Sequence, residues 1–181
     1  VRLSKALDVP EIKMCAKRYR ELSFAKVPSV CANKFRKAFL NEKVKGGVEP
    51  EFEETGNRFP EDEDRVACRA NLRKAILEKG LSGKQLYPHE IVTKCGGRGK
   101  QSGLELEMLN AQWTDIRTSL LAKLAEAKEG EGKPAAAVDV GKLVPLVDVS
   151  GSMSGIPMEV AIALGILISE INHPAFRDRL I

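Results

Sequence analysis

The chain has 181 residues, 43% of them hydrophobic and 30% charged, with a formal net charge of +4. That is ordinary globular composition, with room for one or two domains. No run of 18 apolar residues occurs, so neither a membrane span nor a membrane partner is expected. The first predicted helix starts around Asp8-Val9-Pro10-Glu11. Asp8 can cap it, Pro10 suits its first turn, and Glu11 stands three residues after the cap. A second helix should start at Ser29 and turn Val30, Phe35, Ala38 and Phe39 inward. Gly46-Gly47 should end it. Residues 46–59 are acidic and aperiodic, and read as a mobile loop. Pro60 then opens a helix with Glu61-Asp62-Glu63-Asp64 at its start, where the helix dipole favours negative charge. A short helix should follow at Pro88. Ser102-Gly103-Leu104-Glu105 is a capping-box pattern. The helix behind it places Leu106, Leu109, Trp113, Ile116, Leu120 and Leu124 on one stripe, read as core. Gly130-Glu131-Gly132-Lys133-Pro134 is a linker and the expected domain boundary.

Four cysteines, Cys15, Cys31, Cys68 and Cys95, are scattered, with no C-x-x-C pair. His89 and His173 complete no zinc spacing. Buried, reduced thiols and a cytoplasmic setting are expected. Charge is unevenly spread. Residues 1–45 carry 12 basic and 4 acidic side chains, and residues 66–100 carry 8 and 2. Lys13, Lys17, Lys34 and Lys37 are therefore candidate RNA contacts. The competing reading is a solvated helical surface balanced by the acidic stretch.

The most informative stretch is Leu143 to Asn172. Leu143 to Val147 reads as a buried strand ending on Asp148. A loop of small residues follows, from Ser150 to Gly155. Pro157 then opens a helix that is apolar nearly all round, so most of its surface should be buried. Strand, polar loop and buried helix form the first unit of an open α/β sheet, which carries its ligand site at that loop. Asp148, Ser150 and Ser152 alternate as D-x-S-x-S. One carboxylate and two hydroxyls are hard oxygen donors suited to a largely hydrated Mg²⁺. The alternative is a Ser/Gly-rich turn without metal.

Other chemistries fit less well. A phosphate loop needs Gly-Lys-Ser/Thr, and no lysine lies here. A hydrolase elbow needs Ser midway between Gly151 and Gly155, where Met153 stands. A haloacid-dehalogenase-like phosphotransferase would carry a second aspartate at position 150, which is Ser150.

With these residues in view, DVSGSMS resembles the metal-ion-dependent adhesion site of von Willebrand A domains. The resemblance implies that Ser150 and Ser152 bind Mg²⁺ directly and Asp148 mostly through water. It also implies an open position for an acidic group on a protein partner. More widely, YRELSFAKVPSV (residues 19–30), LYPHEIV (residues 86–92) and PLVDVSGSMSGIPMEVAIALG (residues 145–165) occur in that order. Together they resemble an uncharacterised family related to the Ro autoantigen and telomerase/vault (TROVE) proteins. That resemblance implies a mainly α, TROVE-like helical module over residues 1–130. The start of an α/β, Rossmann-like von Willebrand A domain would follow over residues 135–181. In Ro relatives the helical part binds RNA. The acidic segment near Glu49 to Glu54 departs from the pattern, and so does the end at Ile181, well short of the ~100–200 residues of a domain. A fragment is therefore expected. The resulting expectation is a non-enzymatic binding protein with part of a Mg²⁺ site and an RNA-associated helical module. The alternatives are a protein-interaction scaffold without nucleic acid and a phosphotransferase built on Asp148.

Overall fold

The computed structural model describes residues 2–42, 56–78, 81–96, 103–130 and 142–181. These residues are mainly helical: α1 Arg2–Ala6, α2 Pro10–Cys15, α3 Ser29–Lys34, α4 Arg36–Leu40, α5 Glu63–Leu77, α6 Pro88–Gly96, α7 Gly103–Gly130 and α8 Ile156–Ile171. None of them is long and apolar enough to cross a membrane. The chain divides into two units, one of Val1–Gln85 with Gly99–Gln112, the other of Leu86–Arg98 with Trp113–Ile181. The expected boundary at residues 130–134 falls largely on residues outside the described set.

Prolines and caps set several helix starts. Pro10 opens α2, and Pro88 opens α6. Asp62 caps α5, its side chain accepting from the Arg65 N–H at 3.1 Å. Asp8 does not cap α2. Val9 takes that position, while Asp8 has a positive φ of 48° and pairs with Lys13 at 2.7 Å. The helix expected from Ser29 is broken at Phe35 into α3 and α4. Ser29 faces inward instead, its hydroxyl accepting from the Gln85 N–H at 3.1 Å.

In the first unit, Phe24, Phe39, Leu72 and Met108 are buried together. Phe24 meets Phe39 edge-to-face with ring centroids 5.4 Å apart, an arrangement the ring quadrupoles favour. Asp64, in the first turn of α5, accepts from the Tyr19 N–H at 2.6 Å and the Arg20 N–H at 2.9 Å. It thereby fixes the 3₁₀ turn Tyr19–Glu21 against α5. The α7 stripe differs from expectation. Leu104, Met108, Leu109 and Gln112 are buried, while Leu106 is exposed. The apolar periodicity of α7 fits several neighbouring faces, and packing selected one that includes a glutamine.

The four cysteines form no disulfide, and Cys15 and Cys95 are exposed rather than buried as expected. Burial pushes the Cys68 thiol up to about 12. Burial, followed by the nearby Glu11 charge, pushes Cys31 up to about 11. An unfolded thiol ionises near 9.0. The stability these groups contribute is therefore complete below pH about 9, and is lost as pH rises toward 11 and 12. Denaturation midpoints measured across that range should fall, and Cys68→Val should flatten the decline.

Candidate cation loop

In the second unit, α6 packs on α8. The Thr93 hydroxyl of α6 donates to Glu159 of α8 at 2.6 Å. Near the other end of α8, Glu170 accepts from the Trp113 indole N–H at 2.9 Å and lies 3.6 Å from Arg117. These contacts anchor both ends of α8, which carries the loop at its N-terminus.

The segment before the loop is extended but is not the expected buried strand. Among the described residues no strand is assigned. Leu143, Val144 and Leu146 are exposed, Leu146 by 80%. The α8 helix is likewise less covered than its composition implies: Ile156 and Leu164 are exposed. A strand exists through its pairing, and here the pairing is short. The Ile181 N–H donates to the Pro145 carbonyl at 3.0 Å, and the Val147 N–H donates to the Ile181 carbonyl at 2.6 Å. Two bonds flanking Leu146 and converging on one residue are the pattern of a parallel pair. Upstream, the buried Asn172 side chain accepts from the Leu143 N–H at 3.3 Å and donates to the Leu143 carbonyl. Val147 packs on α8 at Gly165, where an added Cβ would lie 2.4 Å from Val147 Cγ2. The residues that hold the segment, Asn172, Gly165 and Ile181, carry no sequence motif. Only the glycine within an apolar helix hints at a close approach.

At the end of this segment the three D-x-S-x-S side chains come together. Asp148 accepts from the Ser150 N–H at 2.9 Å. That bond, then the Ser150 side chain, holds the Asp148 carboxyl below its ordinary range. The Ser150 and Ser152 hydroxyls are 3.0 Å apart. The 3₁₀ turn Gly151–Met153 keeps them on one side. Gly155 then has φ +88°, a conformation that suits glycine. All three side chains are exposed. Among the described residues, no group of three or more His, Cys, Asp and Glu side chains offers another metal site.

The four candidate RNA lysines are not equivalent. Lys13 is held by Asp8, and its side chain is only 15% exposed. Lys17, Lys34 and Lys37 are exposed. The Lys34 ammonium sits 5.4 Å from the Phe35 ring centroid. The basic loop at residues 97–100 and most of the acidic stretch at residues 46–59 lie outside the described residues.

Comparison with known proteins adds a relative. The uncharacterised protein L728 of Acanthamoeba polyphaga mimivirus is 30% identical over 185 residues. The match covers 99% of this chain and 27% of that protein, so the chain spans about a quarter of its relative's length. No family model matches the chain. No solved structure matches it either.

Proposed function

We propose that the chain is a non-enzymatic binding protein whose Asp148 loop holds Mg²⁺ and presents it to an acidic group on a protein partner. The observation that carries this reading is the convergence of an ionised carboxylate and two hydroxyls 3.0 Å apart on an exposed loop. The donor set fits a hard, oxygen-seeking cation. Asp148, Ser150 and Ser152 would hold it. The parallel hydrogen bonds around Leu146 and the close packing of Val147 on Gly165 support a βα unit of von Willebrand A type beneath the loop. One carboxylate and two neutral hydroxyls leave Mg²⁺ mostly hydrated, so binding to this chain should be weak. Calorimetric titration with Mg²⁺ should give a small, saturable heat that Asp148→Ala removes with little change in far-UV circular dichroism. Absence of heat in a protein extended to a complete α/β domain would leave the loop a structural turn.

A second reading adds RNA, in keeping with the TROVE resemblance. It rests on the exposure of Lys17, Lys34 and Lys37 in the first unit. Reversing these three charges should weaken RNA binding, and affinity should fall steeply with added salt. Lys13→Glu should matter less, because Asp8 already engages it. Binding indifferent to salt and to the three reversals would leave the scaffold reading without nucleic acid. Turnover of a phosphoester, lost in Asp148→Ala, would favour the phosphotransferase.

A further inference from the structure

The serines of the loop alternate once beyond the D-x-S-x-S residues, at Ser150, Ser152 and Ser154. The first two hydroxyls stand 3.0 Å apart. The third is engaged elsewhere, donating to the Gly151 carbonyl at 2.7 Å. The same carbonyl accepts from the Ser154 N–H at 3.2 Å. One residue thus fills both lone pairs of the Gly151 oxygen. In doing so it closes the 3₁₀ turn Gly151–Met153 with a side-chain bond as well as a main-chain one. That turn contains Ser152, and Ser150 leads into it, the Ser150 carbonyl accepting from the Met153 N–H at 2.9 Å. The placing of one hydroxyl relative to the other is therefore set by a turn that Ser154 locks.

The locked spacing has a chemical consequence. Mg²⁺ demands a near-ideal octahedron with oxygens at ~2.1 Å, in which neighbouring oxygens lie ~3.0 Å apart. Ser150 and Ser152 stand at that separation. Their oxygens can take adjacent positions without moving, once the hydroxyl proton between them turns aside. Ca²⁺ binds its oxygens at ~2.3–2.6 Å in a larger, more flexible shell, so it tolerates wider spacings. A rigid turn favours the smaller ion, and a loosened turn loses that advantage. We propose that Ser154 is a positioning residue that makes the loop selective for Mg²⁺ over Ca²⁺, by holding the Ser150 and Ser152 hydroxyls at octahedral spacing. This rests on the cation reading above and adds to it a residue outside the D-x-S-x-S set.

Ser154 has φ −48° and ψ 137°, a backbone open to alanine and threonine alike. Ser154→Ala therefore removes the hydroxyl without straining the chain, and Ser154→Thr keeps it. Mn²⁺ is titrated into the 181-residue chain while the amide signals of residues 148–154 are followed, and is then displaced with Mg²⁺ or Ca²⁺. In Ser154→Ala, Mg²⁺ should bind about fivefold more weakly, the usual effect of losing one hydrogen bond, and Ca²⁺ by less than about twofold. Ser154→Thr should match the parent chain. Equal losses for the two ions would make Ser154 a general brace of the loop and overturn the proposal. Unchanged affinities, or a threonine variant that behaves as alanine does, would overturn it too. In each of these cases Asp148→Ala would still remove the selective broadening, so the cation reading would stand. Without selective broadening in the parent chain, the cation reading fails first and this inference falls with it.

Discussion

Replacing Arg69 with methionine is expected to lower the stability of the first unit by about 3 kcal/mol, the usual order for breaking a buried ion pair by removing one of its members. Arg69 lies on α5, and its guanidinium stands 3.8 Å from the Glu42 carboxylate, with both side chains nearly buried. It also donates to the Asn57 side chain at 3.2 Å. Glu42 and Asn57 form an antiparallel bridge. Next to it the Arg58 N–H donates to the Asn41 carbonyl at 2.6 Å. The Phe59 N–H donates to the Asn41 side chain at 3.2 Å. Asn41 has φ +48°, a left-handed conformation that asparagine tolerates better than most residues. Residues 42 and 57 are thus joined, and Arg69 ties the junction to α5. Lys74→Met on the same helix is the control. Its pair with Glu78 is exposed on both sides, so the loss should stay below about 0.5 kcal/mol. Urea denaturation of the two variants gives the comparison. Equal, small losses would mean that solvent already screens the Arg69 pair.

Gly165→Leu should have the next largest effect, about 2 kcal/mol, through overpacking against the stiff Val147 side chain. An added Cβ there would meet Val147 Cγ2 at 2.4 Å, a distance that requires something to move. The segment carrying Val147 is held by few bonds, so it should be what moves. Exchange of the Val147 and Ile181 amide protons should therefore accelerate, while those at the centre of α7 stay protected. Gly165→Ala is a finer probe. Alanine gains about 0.5–1 kcal/mol of helix propensity over glycine, against a clash of about 1–3 kcal/mol. A small net loss is expected. In a Val147→Ala background the clash disappears, and the same change should become neutral or stabilising. A loss of equal size in both backgrounds would mean that the two residues do not couple.

What was legible in the sequence were features with a local cause. Pro10 and Pro88 marked helix starts because proline fixes φ and lacks an N–H. Of the acidic run ahead of Val66, Glu63 and Asp64 form the first turn of α5 and Asp62 caps it, while Pro60 and Glu61 lie in a turn before the helix rather than opening it. The mainly helical character of the chain followed from the same signals. The D-x-S-x-S residues were legible as a group, since alternation within five positions keeps them close on any tight turn.

Features set by packing or by a competing partner were not legible. The break at Phe35, where φ is −101° and ψ 12°, has no signal in the sequence, and the ring packs partly buried against the core. Asp8 was read as a cap because its type suits one; Lys13 claims it instead. The burial of Gln112, rather than Leu106, depends on which face of α7 the core meets. Leu143 to Val147 read as a buried strand from its apolar run. Burial, however, requires a covering layer, and only Pro145 and Val147 lie partly covered. Asn172, which grips Leu143 through both ends of its amide, stands 29 residues away in sequence.

The central claim is that Asp148, Ser150 and Ser152 together hold a divalent cation. Paramagnetic broadening by Mn²⁺ tests it most directly, because it detects weak binding and reports its location. Increasing Mn²⁺ should first erase the amide signals of residues 148–154, before those near other exposed carboxylates such as Asp178. Excess Mg²⁺ should restore them. Acidification should weaken the effect as Asp148 is protonated, at a pH below the ordinary carboxylate range. Asp148→Ala should remove the selectivity. Broadening spread evenly over the acidic surface, unchanged in Asp148→Ala, would contradict the claim.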